Sequence, residues 1–156
     1  MLATLVIVKG VIPIAKPRSN VTIKNEDQMA ATDTPHAGKV AMKFFFNLME
    51  KWGCSEDEQK VLLGGIGNDA YHKYKSSPEI CLCHDLMERI SYLMGIHRSL
   101  RVIFSNHADY GYHWVRKPNK TPPFNGQSAL QLMLSGRTAE LAEVRRYLDS
   151  VREPPF

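Results

Sequence analysis

Cys81, Cys83 and His84 lie side by side in sequence, with Cys54 and His72 elsewhere in the chain, and these are side-chain types that hold zinc. A structural zinc site wants four nitrogen or sulfur ligands in a tetrahedron. Here the spacing is C-x-C rather than C-x-x-C, and no second cysteine pair exists. The group reads instead as small buried thiols beside a surface histidine, and no metal is expected. His107, Asp109 and His113 could support acid–base work, because histidine titrates near neutral pH. No nucleophile stands in a G-x-S-x-G turn, however, and no glycine loop is arranged to cradle phosphate. The expectation is a chain with no catalytic residues and no cofactor, which acts by binding.

Two sets of side chains suit recognition. Arg137, Arg145, Arg146 and Arg152 flank or line the last helical stretch, where the planar guanidinium fork makes directional bonds to carboxylates at protein interfaces. The bland alternative is a solvated face carrying an Arg145–Asp149 pair at helical spacing. The other set is Asn68, Tyr71, His72, Lys73 and Lys75 on a short basic stretch; asparagine suits adenine edges and lysine suits guanine or phosphate. Asp69 and Glu79 carry the wrong sign for DNA and pull the other way.

These groups must be held by helices, and the sequence marks where the helices start and stop. Thr34 followed by Pro35 predicts an N-cap and first helical residue. Val40, Phe44, Leu48 and Trp52 then recur every four residues, with Ala41 and Phe45 beside them, and Gly53 ends the run. Ser55 and Glu58 form an S-x-x-E capping box, which opens a helix through Val61, Leu62 and Leu63. Gly64 and Gly65 allow a sharp turn, and Asn68 is placed to cap a third helix before the Ser76-Ser77-Pro78 break. Two short helices across a glycine turn, braced by an aromatic helix, fit the helix-turn-helix plan.

From Asp85 the pattern is helical again through Leu86, Ile90, Leu93, Ile96, Leu100, Ile103 and Phe104, with an Asp85–Arg89 pair; Gly95 either divides this stretch or is passed through. Trp114 leads into a loop punctuated by Pro118, Pro122 and Pro123. Ser128 and Gln131 make a second capping box, Gly136 can close that helix, and Thr138 can cap the last one. In the last, Leu141, Val144, Leu148 and Val151 share a stripe, leaving Arg145, Arg146, Asp149 and Arg152 on other faces.

The order W-x-x-x-P-N, P-x-F-N-G, a capped helix with LxLxxSGR, and a closing amphipathic helix resembles the toxin-binding domain of the Xre/MbcA/ParS antitoxins. The similarity extends upstream through WGCSEDEQKVLLGG and DLMERISYLMGIHRSLRVIF, covering roughly residues 40 to 152. Ala129 departs from it, standing where the family often has proline. The resemblance implies an all-α protein: an Xre-like helix-turn-helix helical domain over residues 35–105, then a small C-terminal helical toxin-binding domain over 106–156. It implies a cognate toxin of the RES type, which destroys NAD⁺, covered at its active site by Arg137, Arg145, Arg146, Asp149, Arg152 and Phe156. It also implies binding to the chain's own promoter DNA through the Asn68–Lys75 set, and a homodimer. The rival from a different class is a stand-alone DNA-binding regulator with no toxin partner.

At 156 residues the chain is long enough for a real core, and a formal charge of +4 permits an anionic partner without requiring one. An odd count of three cysteines is no disulfide framework, which points to a reducing cytoplasm. Residues 1–15 are apolar but interrupted by Lys9, Gly10 and Pro13, too early for a membrane span. Residues 1–34 are expected to be a mobile N-terminal arm, in which residues 2–8 can form a strand that pairs with a partner or with a second copy; the alternative is that the first 28 come from an upstream start and Met29 is the true one.

Overall fold

The computed structural model describes residues 34–105 and 107–153. The N-terminal arm, for which a mobile segment or a partner-pairing strand is expected, and the tail residue Phe156 lie outside them. The described residues form seven helices and no strand: α1 (Pro35–Trp52), α2 (Glu56–Leu62), α3 (Asn68–Ser76), α4 (His84–Ile103), α5 (Ala108–Trp114), α6 (Ala129–Met133) and α7 (Thr138–Arg152). None of these helices is long and apolar enough to cross a membrane.

The start and stop signals act largely as chemistry predicts. The Thr34 hydroxyl accepts from the Ala37 amide at 3.1 Å, with Pro35 in the first turn, and Gly53 closes α1 in the left-handed conformation at φ 66°. Both capping boxes form, Ser55 with Glu58 and Ser128 with Gln131. Two expected caps are corrected. Gly67 and Arg137 hold the N-cap positions of α3 and α7 without side-chain bonds, so Asn68 and Thr138 are first helical residues. Gly95 does not divide the fourth stretch, and α4 runs through it unbroken.

The buried face of α1 is Ala41, Met42, Phe45, Leu48, Met49 and Trp52; Val40, expected on it, is exposed. Gly38 lies against the chain after α3, where an added Cβ would sit 1.9 Å from the Ile80 carbonyl oxygen. Only glycine permits that backbone approach. Lys39 Nζ ties the same segment down by donating to the Ser77 carbonyl at 2.6 Å. The extended Ile80 and Leu82 thereby enter the core, while Cys81 and Cys83, expected as buried thiols, point to solvent.

A single buried cluster takes side chains from both sides of the expected 105/106 boundary: Phe45, Trp52, Ile90, Leu93 and Ile96 with Phe124, Met133, Leu141 and Val144. The most extensive helix pairing is between α4 and α7. They run in the same direction, since Arg145 lies on Gly95 and Asp149 meets Ser99 one turn further along both.

Candidate functional site

The geometry of the C-terminal region is set by a loop that closes on itself. The Asn119 amide donates to the Gln127 carbonyl at 3.0 Å and the Gly126 amide returns to Asn119 at 2.8 Å, beside an isolated bridge between Pro118 and Ser128. Closing the loop turns Phe124 inward until it is buried, edge-on to Trp114 at 5.7 Å and to Tyr147 at 4.9 Å between ring centres. Trp114 and Tyr147 stack nearly parallel at 6.2 Å. The P-x-F-N-G segment is thus the wedge that joins the end of α5 to α7, through an aromatic trio.

Arg116 makes the second tie. Its Nε donates to the Trp52 carbonyl at 2.7 Å, and its Nη2 donates to the Gly53 carbonyl at 2.6 Å and to Glu58 Oε2 at 3.2 Å. It caps the open carbonyls of α1 and touches the α2 capping box at once. Burial alone would raise the Glu58 carboxyl, but the Ser55 amide and Arg116 hold it below the usual range. Cys54, beneath this clamp, has its thiol pushed up to about 11, first by burial and then by the Glu58 charge.

The expected toxin-facing residues divide into two groups. Arg145, Asp149 and Arg152 build an internal network. Arg145 Nε donates to Asp149 Oδ2 at 2.9 Å, the Ser99 hydroxyl donates to Oδ1 at 2.7 Å, and Arg152 Nη2 stands 3.9 Å from that oxygen. Burial would raise Asp149; the Ser99 and Arg145 hydrogen bonds and the two arginine charges outweigh it and hold the carboxyl below its ordinary value. An added Cβ on Gly95 would sit 1.7 Å from Arg145 Nη1, so the guanidinium lies in the space that glycine leaves. Arg137 pairs with Glu140 through two nitrogens. Arg146 is exposed and makes no ion pair among the described residues. Val151, expected in the buried stripe, is 46% exposed.

On α3, Asn68, His72, Lys73 and Lys75 are exposed. Tyr71 is not, which corrects its place among base-reading residues: it is 1% exposed, donates its hydroxyl to Gln59 Oε1 at 2.8 Å and packs edge-on to Phe46. His72 faces Glu56 at 3.7 Å, and Lys75 lies over the Phe46 and Tyr71 rings. Lys73 makes no ion pair among the described residues, so it is the most available cation of the set. The first turn of α2, with Glu56, Asp57 and Glu58, stands beside it as an acidic flank.

No group of three or more histidine, cysteine, aspartate or glutamate side chains able to hold a metal occurs among the described residues. Sequence reasoning missed four residues that shape this region: Gly95, Ser99, Tyr110 and Arg116. Gly95 alone left a signal, since an isolated glycine kept inside a helical pattern usually has a packing reason, though the signal does not name its partner.

Residues 99–153 match the family described as the antitoxin Xre/MbcA/ParS C-terminal toxin-binding domain. The chain is also similar to a Sinorhizobium fredii protein named as uncharacterized protein y4oB. The two are 37% identical over 113 residues, which cover 71% of this chain and 83% of that protein.

Proposed function

The chain belongs to the Xre/MbcA/ParS antitoxin family, and from that premise we propose that it holds and silences a RES-domain toxin that destroys NAD⁺. It would do so by covering the toxin's active-site cleft and would perform no chemistry itself. The observation that carries the reading is the match over residues 99–153 to a toxin-binding domain. An antitoxin role with a toxin partner follows from the family; the RES class and the mode of inhibition are the proposal. Arg146 and Phe156 are the proposed direct contacts. Arg137, Arg145, Asp149 and Arg152 contribute mainly by holding α7 in place, while offering their remaining donors and oxygens.

We propose further that a cytoplasmic homodimer presents α3 to promoter DNA, with Asn68, His72, Lys73 and Lys75 as contacts and Tyr71 as their internal support. Cationic contact with phosphate would give an affinity that falls steeply with salt, and Lys73→Ala would weaken binding while reducing that slope by about one.

The deciding experiment is co-expression with a RES-domain toxin, sought first in the adjacent reading frame, reading cellular NAD⁺ and co-purification. Restored NAD⁺ with a stable complex is the expected result. A toxin left unbound and fully active would end this reading.

A further inference from the structure

An open cleft of about 500 Å³ is lined by Phe104, Tyr110, His113, Trp114 and Lys117. All five fall within the matched residues 99–153. We infer that this cleft receives a segment of the toxin that presents a bulky apolar side chain next to a carboxylate. The inference rests on the antitoxin reading above and specifies where, and by what chemistry, the partner is held.

The floor of the cleft is already fixed. Trp114 is pinned by Phe124 and Tyr147, and Phe104 is held at the end of α4, where its amide donates to the Leu100 carbonyl at 2.9 Å. The wall is a tyrosine that the fold leaves in water: Tyr110 is 59% exposed, the most exposed of the large apolar side chains among the described residues. Its ring stacks on His107 at 4.9 Å and 25°. A ring already held in one orientation loses little rotamer freedom when a partner covers it, so more of the buried area appears as affinity. Outside the cleft lining, Val102 and Val151 are also exposed large apolar side chains. Tryptophan and tyrosine in a concave, preformed site are the residues that most often dominate binding energy at protein interfaces.

The charge of the lining selects the second half of the ligand. Among the described residues, Lys117 and His113 are its basic side chains, no carboxylate lines it, and Lys117 makes no ion pair. A carboxylate beside the inserted side chain would meet Lys117, while an arginine or lysine there would meet a like charge.

The test measures binding of purified toxin to the full chain and to Tyr110→Ala, Lys117→Glu and Met94→Ala variants. Met94 is exposed on α4 away from the cleft, so its variant serves as a control. Circular dichroism and size-exclusion mass measurement accompany each variant. We expect Tyr110→Ala to weaken toxin binding about 30- to 100-fold. Lys117→Glu should weaken it about tenfold or more with a changed salt dependence, and an Asp/Glu→Lys change in the toxin should restore it. Met94→Ala should bind as the parent does. If the parent binds toxin and both cleft variants bind equally well, the inference is overturned while the antitoxin reading stands. If the cleft variants instead lose self-association with toxin affinity unchanged, the occupant is a second copy and the inference is wrong. If the parent binds no toxin, the antitoxin reading fails and takes this one with it.

Discussion

Replacing Asp149 by alanine removes one acceptor from two donors on different helices, and the cost can be worked from the geometry. The Ser99 side chain is fully buried at 0% exposure, and its hydroxyl donates to Asp149 Oδ1 at 2.7 Å. Losing a hydrogen bond to a charged acceptor at such a site costs about 1.5–3 kcal/mol. The Arg145–Asp149 pair is tighter in charge but wetter, with side chains 36% and 34% exposed, so water screens it to about 0.5 kcal/mol. Arg152 at 3.9 Å adds little. Asp149→Ala should therefore lose about 2–3 kcal/mol, Ser99→Ala about 1–2, and the double variant little more than Asp149→Ala alone, a coupling of about 1–2 kcal/mol.

Urea unfolding of the four proteins at pH 7 measures this cycle. Acid provides an internal check on its sign. The Asp149 carboxyl is held below its ordinary value in the folded chain, so the unfolded chain takes up the proton first. The contribution is whole above the unfolded value of about pH 4 and is lost as pH falls through the lower folded value. A coupling within about 0.3 kcal/mol of zero at pH 7 would refute the claim that this carboxylate joins α4 to α7.

Three further predictions concern other parts of the fold. Gly38→Ala should destabilise by about 2 kcal/mol because its Cβ would meet the rigid Ile80 carbonyl, whereas Gly95→Ala should stay within about 1 kcal/mol, since flexible Arg145 can swing aside and alanine favours the helix; thermal melts distinguish them. Cys54, with its thiol pushed up to about 11, should alkylate about a hundredfold more slowly at pH 8 than an ordinary thiol, read by mass spectrometry. His97 is lowered, first by burial and then by Arg101 and Lys51, and its Nδ1 is buried without a partner. Stability should thus be full above about pH 6.5 and decline as pH falls toward the folded value, and His97→Phe should flatten the melting temperature between pH 7.5 and 5.5.

Local chemistry was readable where it depends on a few adjacent residues. Both capping boxes, the Gly53 stop and the Asp85–Arg89 pair, at 2.9 Å, formed as the residues indicate. Helix faces were read less well, for a geometric reason. At about 100° per residue, positions four apart drift by about 40° each step. Val40 is therefore about 120° from Trp52 around α1, and it is exposed while Trp52 is buried. On α7 the same angle puts Arg145 and Arg152 about 40° and 20° from Leu141, on the inward face. They were read as outward because they are charged. Space for them comes from Gly95 and Ser99 on another helix, and that pairing across the chain is not written in either segment. Tyr71 was misread in the same way: its hydroxyl finds Gln59, which a list of base-reading residue types does not anticipate.

Helix α4 is a 20-residue rod, about 30 Å from end to end, that follows the short basic helix in the chain and finishes at the aromatic cleft. A fragment cut at residue 106 would discard it and uncover the face of α7 that carries Arg145 and Asp149, leaving only α6 and the aromatic trio against that helix. Anyone wishing to isolate the partner-binding portion must therefore begin at His84 or earlier.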